Sequence, residues 1–290
     1  MSRRGWLLFI AMGVIWGIPY LLIKVAVADL HPTALVLFRT LIGGLILVPW
    51  AASQGAIRPL LPHWRAILLY TAVEVALPWF FLADAERRLS SSLTGLLIAA
   101  VPSVGAVLLW LSRSGERIDS RRVAGLALGF LGVAALVGLD VSYRDLGAVG
   151  EVLIVAVCYA IGPMIIARRL SDLPSAGVVA ASLALSGLAY LPFGLLHLPT
   201  AMPPVPVVVS VAILGVVCTA IAFLVFFALI AEVGPARAMV FTYVNPAVAL
   251  LLGVLILREP FTFGAAAGFL LIVVGSYLAT SRSRVPAPAV

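Results

Sequence analysis

Long apolar runs alternate with short polar punctuation along the whole of this 290-residue chain. A bilayer core demands roughly 20 apolar residues of each helix that crosses it. Ten windows meet that demand: about 6–27, 33–50, 65–83, 92–111, 122–139, 148–168, 176–196, 206–230, 236–256 and 262–280. The pattern therefore predicts an all-α integral membrane protein of ten transmembrane helices. The connections between windows are short, which leaves no room for a soluble domain.

Composition agrees. Hydrophobic residues make up 63% and charged residues 11%, and mean hydropathy is +1.18. An ordinary globular protein carries about 25% charged residues. Such a chain cannot hide its apolar surface in water, and the same figures exclude disorder and a secreted disulfide scaffold. The two cysteines, Cys158 and Cys218, fall inside apolar runs and read as small buried hydrophobes. At the amino terminus, Ser2-Arg3-Arg4 resembles a twin-arginine signal and Ala26-Val27-Ala28 a cleavage site. The apolar run between them exceeds an ordinary signal core, so it reads as an uncleaved first helix.

Charge sets the expected orientation. With the amino terminus inside, thirteen arginines fall in cytoplasmic segments and four (Arg87, Arg88, Arg144 and Arg258) on the other side. The positive-inside rule then places both termini in the cytoplasm, in a bacterial-type cytoplasmic membrane. The net charge of +7 suits the anionic inner leaflet, and nucleic acid is not expected as a partner.

The chain also repeats itself. A shift of 143 residues superposes Asp29 on Asp172, Gly44 on Gly187, Pro49 on Pro192, Glu116 on Glu259, Gly125 on Gly268, and Gly132 on Gly275. A shift of 144 superposes Pro19 on Pro163 and Pro102 on Pro246. This divides the chain into repeats 1–145 and 146–290 of five helices each. Five is odd, so the second repeat must lie upside down relative to the first. Inverted repeats in membranes point to secondary transporters with a site at the interface of the halves.

Several segments resemble the EamA-type family of the drug/metabolite transporter superfamily. They are Trp16-Gly17 followed by Lys24, Phe38-Arg39, VPSVGAVLLWLSRSGER over residues 101–117, and GPARAMVFTYVNPAVALLLGVLILREPFTFGAAAGFLLIVVGSYL over 234–278. Pro102 with Glu116, and Pro246 with Glu259, match the family's proline-then-glutamate pattern in both halves. The polar LSRSGER stretch departs from it, since the family runs apolar up to its Gly-Glu. Among ten-helix bacterial members the chain is similar to amino-acid exporters of the YddG kind. The resemblance implies a carrier of small molecules and leaves the substrate open.

Candidate residues follow from the cost of polarity in lipid. Glu74 lies near the middle of helix 3, where an ionised carboxylate is tolerated only against water or a partner. It is a candidate for binding a substrate amine or carrying a proton, with a structural carboxyl as the alternative. Lys24 and Arg39 lie toward the outer ends of helices 1 and 2. They either snorkel to the interface or attract a substrate carboxylate at the outer mouth. Pro19, Pro78, Pro102, Pro163 and Pro246 interrupt helices and are candidate hinges. Near them, Trp16, Tyr20, Trp79, Tyr159, Phe241, Tyr243 and Asn245 are candidate walls of a central cavity. The pairs Gly13/Gly17, Gly125/Gly129 and Gly264/Gly268 suit close helix packing within a monomer.

No nucleotide-binding loop is present, and Lys24 is the one lysine. His31, His63 and His197 are scattered, so neither a metal nor another cofactor is expected. No nucleophile motif occurs. The expected function is secondary transport, with export of amino acids by alternating access through a cavity between the repeats. Alternatives are a carrier of another small metabolite or amphipathic drug, and, in a different class, an intramembrane enzyme using Glu74. Lipid bilayer and a small-molecule substrate are the expected partners.

Overall fold

The computed structural model describes residues 1–111 and 120–280, apart from the side chains of Pro235, Ala236 and Thr280. Glu116 and the polar stretch around it, together with Arg113, Arg117, Arg282 and Arg284, lie outside the described residues. Among the described residues the regular structure is all helical, joined by short turns, with no strand. Eight helices are long and apolar enough to cross a membrane: α1 (Arg3–Ala26), α2 (Pro32–Ser53), α3 (Arg58–Ala85), α4 (Ser91–Leu111), α5 (Ser120–Asp140), α6 (Tyr143–Leu170), α7 (Ser175–Leu196) and α8 (Val205–Val233). Two shorter apolar helices complete the bundle, α9 (Met239–Leu255) and α10 (Phe263–Ala279). Each of the ten windows read from the sequence overlaps one of these helices.

Helix starts follow local chemistry. Ser2 accepts from the Gly5 N–H at 2.9 Å, and Ser90 from the Leu93 N–H at 3.2 Å. His31 caps α2 by accepting from the Thr33 N–H, with Pro32 supplying a preset first turn. Prolines and inserted turns then break the interiors. α1 is interrupted after Ile15 and resumes at Pro19; α4 is interrupted after Ile98 and resumes at Val101, next to Pro102. α9 opens with a tight turn over Met239–Tyr243 and becomes α-helical at Asn245, next to Pro246. π-helical turns widen α3 at Thr71–Ala76 and α8 at Val216–Ile221, the same place in each helix at a shift of 145. A third, at Ile166–Leu170, follows Pro163 in α6, so Pro19 breaks its helix whereas Pro163 sits in a continuous one.

Two pairings dominate the bundle, α5 with α10 and α2 with α7. Glycines let the first pair approach backbone to backbone. A Cβ on Gly275 would strike the Gly129 amide, and one on Gly125 the Ala279 amide. Gly13 and Gly17 accept the side chains of Val244 and Val248 from α9 in the same way. Leu35, Val155, Val211 and Leu214 form one core joining α2, α6 and α8; Leu96, Leu136, Val152 and Ile272 form another joining α4, α5, α6 and α10.

Candidate functional site

Buried charge marks the interior. Glu74 sits in the π-helical turn of α3, and one of its carboxylate oxygens, Oε2, is buried with no hydrogen-bond partner among the described residues. It faces Gly162 of α6, where a Cβ would collide with the carboxyl. Pro78 lies four residues on and lacks the N–H that would serve the Glu74 carbonyl. The wider turn passes its own hydrogen bond from the Leu77 N–H to the Ala72 carbonyl, and the Tyr190 hydroxyl of α7 donates to the Ala76 carbonyl at 3.0 Å.

Arg39 of α2 is also buried, 7% exposed. Its guanidinium lies 3.7 Å from the centre of the Trp79 ring, a cation–π contact, and its Nε donates to the Thr219 hydroxyl of α8 at 3.1 Å. Thr219 belongs to the second π-helical turn and itself donates to the Leu214 carbonyl five residues back. Among the described residues Arg39 forms no ion pair. Tyr20, Tyr159 and Glu86 lie within electrostatic range of it, and Tyr159 is also within range of Glu74. Arg39 thus lies on Trp79 between α2, α3 and α8, Tyr20 and Tyr159 pack in the core that joins α1 and α6, and Glu74 faces α6 from α3.

The remaining aromatic candidates form a second group. Trp16 packs on Phe223 and Phe226 of α8 and on Phe241, with ring centres 5.2–5.5 Å apart. Phe241 is fully buried. The Asn245 amide, in the orientation that gives its nitrogen acceptors, donates to the Gly13 carbonyl at 3.0 Å and the Phe241 carbonyl at 3.3 Å. It therefore binds α9 to the broken stretch of α1. The Tyr243 hydroxyl donates to the Ser276 carbonyl of α10 at 3.4 Å.

Lys24 is occupied elsewhere. Its ammonium donates to the carbonyls of Glu86 and Leu89, at 2.6 and 2.7 Å, and so caps the end of α3. Nearby, the Glu259 carboxylate accepts from the Ser91 and Ser92 amides at 2.8 and 2.9 Å and from the Ser92 hydroxyl at 2.5 Å. A carboxylate there complements the N-terminal dipole of α4. Arg88 bridges Asp84 and Glu151 at the same end, and its bond to Glu151 pushes its guanidinium above the usual arginine value. His31 stacks on His197 with ring centres 4.0 Å apart. Burial, then the neighbouring His197 and Arg87, hold the His31 imidazole below its ordinary value.

Glu86, Thr219 and Gly162 were not singled out from sequence. Glu86 is 0% exposed and both carboxylate oxygens lack a hydrogen bond among the described residues, yet in ADAERR it reads as part of a polar connection. Thr219 and Gly162 are ordinary residues in apolar runs, and only their neighbours give them a role.

A bundle of long apolar helices with carboxyl and guanidinium groups in its interior has the makings of a multi-pass membrane transporter. The chain belongs to the EamA-like transporter family, whose sequence profile matches it twice, over residues 3–138 and 148–281. It is similar to the uncharacterized transporter YvbV of Bacillus subtilis, at 27% identity over 98% of this chain and 93% of that one. The uncharacterized inner membrane transporter YedA of Escherichia coli is 26% identical over 84% of this chain and 79% of its own. A probable amino-acid metabolite efflux pump of Escherichia coli is 24% identical over 55% of this chain and 52% of its own. In fold the chain is similar to a solved crystal structure with TM-score 0.67 at 20% identity, covering 97% of each chain.

Proposed function

We propose that this protein exports amino acids across the cytoplasmic membrane as a monomeric secondary carrier. Substrate binds between two inverted five-helix repeats, 1–145 and 146–290, and is exposed to each side in turn. Both termini face the cytoplasm. One observation carries the substrate reading: Glu74, with a carboxyl oxygen buried and unpartnered among the described residues, and the buried Arg39 both lie within electrostatic range of Tyr159. A zwitterion offers each a partner, its ammonium to Glu74 and its carboxylate to Arg39, which lowers the cost of keeping both in a low dielectric. The aromatic rings around them suit the side chain. The distant Escherichia coli relative named as a probable amino-acid metabolite efflux pump is consistent with this class.

Support for the repeat comes from the double family match, from the paired π-helical turns, and from the helix breaks beside Pro102 and Pro246. Glu74, Tyr20, Trp79 and Tyr159 are the proposed cavity residues. Trp16, Phe241, Tyr243 and Asn245 form the wall that moves with the breaks at Pro19 and Pro246. Pro78, Pro102 and Pro163 are the other bends.

Counterflow of radiolabelled amino acids into proteoliposomes holding the purified full chain, with and without a pH gradient, tests the reading. Exchange of at least one amino acid, inhibited by the unlabelled compound, is expected. Exchange confined to uncharged or purely cationic compounds would overturn it.

A further inference from the structure

A cavity of ≈ 220 Å³ opens on the side of the bundle, lined by Leu69 of α3, Leu108 of α4, and Ile161, Met164, Ile165, Arg168 and Arg169 of α6. Its place on α6 decides what it faces. Leu153, Ile154 and Val157 are exposed on one stripe of that helix, by 38, 46 and 39%, whereas Val152, Val155 and Ala156 on the opposite stripe are buried in the cores. Helical spacing carries the exposed stripe on through Ile161, Met164 and Arg168. The cavity is therefore a recess in the outer, lipid-facing wall, and neither Glu74 nor Arg39 lines it.

Its chemistry is divided. Five apolar side chains form the body, and two guanidiniums close the rim where α6 ends in its π-helical turn. Neither Arg168 nor Arg169 has a carboxylate partner among the described residues. Arg65 begins the turn of α3 that leads to Leu69, so a third cation lies at the same end. An apolar recess capped by cations at the edge of the hydrocarbon matches an amphiphile with an anionic head.

We propose that this recess binds one anionic phospholipid, with an acyl segment against Leu69, Leu108, Ile161 and Met164 and the headgroup phosphate held by Arg168 and Arg169. Arginine suits a phosphate because its fork of donors can make two parallel bonds. The inner leaflet as the source of the lipid rests on the orientation proposed above; the binding itself does not.

The test uses the purified full chain in neutral detergent, with native mass spectrometry and thermal melting as readouts. Dioleoylphosphatidylglycerol should bind saturably at one site and raise the melting temperature. Dioleoylphosphatidylcholine, with the same tails, should bind about tenfold more weakly or less, the scale of one charge-assisted contact. Glycerol 3-phosphate, a phosphate without tails, should neither bind nor stabilise. The Arg168→Gln/Arg169→Gln variant should lose phosphatidylglycerol by about tenfold or more while melting like wild type without lipid. Met164→Trp fills the recess with both arginines intact and should also lose it. The proposal is overturned by equal binding of the two lipids, by glycerol 3-phosphate binding as well as the lipid, or by wild-type affinity in both variants. A reversed topology in cells would overturn the orientation and leave these results standing.

Discussion

Any side chain larger than hydrogen at residue 162 would displace the Glu74 carboxyl, so these two positions form one unit. Glu74→Gln keeps the shape and removes the charge. We expect this variant to fold normally but to lose transport by about tenfold, the scale of one charged hydrogen bond, or to lose its pH dependence. Transport and pH profile equal to wild type, at equal amounts of folded protein, would make Glu74 structural. His31 gives a second residue-level expectation, with its sign fixed by its surroundings. Its native imidazole titrates below the ordinary value, so between the two values the unfolded chain binds more protons. Its contribution to stability is intact above about pH 6.5 and is lost as pH falls through the lower native value. Protonation also removes the ring nitrogen that accepts from the Thr33 N–H. Thermal melts at pH 5 and 7.5 should differ in wild type and differ less in His31→Asn, which keeps a cap and cannot titrate there. A difference of the same size in both would assign the pH effect elsewhere. Depth along a helix is readable from sequence, and Glu74 stood out for that reason. Which side chains meet is not: Arg39 reads as a residue near the mouth, and its guanidinium lies 3.7 Å over the centre of the Trp79 ring.

Helices in a bilayer gain little from hiding apolar surface, so close approach must do more of the work. The α5–α10 seam shows how: Gly125, Gly129 and Gly275 bring two backbones into contact. Gly275→Leu forces a side chain into the Gly129 amide and should destabilise the protein by about 3 kcal/mol, the upper end for overpacking. Gly150→Ala has open space around it and should leave the stability within about 0.5 kcal/mol of wild type. Equal melting of the two variants would show that the seam adds nothing. At this scale the spans were readable to within about five residues except at the start of α3, which the tight turn over Arg58–His63 extends beyond the apolar window. The π-helical turns were not. Thr71–Ala76 and Val216–Ile221 contain neither glycine nor proline, and of the two only the first has a proline close behind it, Pro78. Proline was also an incomplete guide, since Pro19 follows a break and Pro163 does not.

For the molecule as a whole, orientation is the first thing to establish. Ser142 lies exposed in the connection between α5 and α6, on the side expected to face outward. In a background lacking Cys158 and Cys218, Ser142→Cys should react with an impermeant thiol reagent added to intact cells. Reaction only after the membrane is opened would reverse the topology. The Glu259 carboxylate then acquires a kinetic meaning. It holds the start of α4 through three hydrogen bonds at the expected outer end, each worth about 1.5–3 kcal/mol when the acceptor is charged. If that end is to admit or release cargo, this latch must come undone and close again once per cycle, whatever is being carried. On that reading Glu259 sets the pace of the cycle and leaves the choice of cargo to other residues. Glu259→Gln should raise the exchange rate of every transported compound by the same factor, and factors that differ between compounds would return Glu259 to recognition.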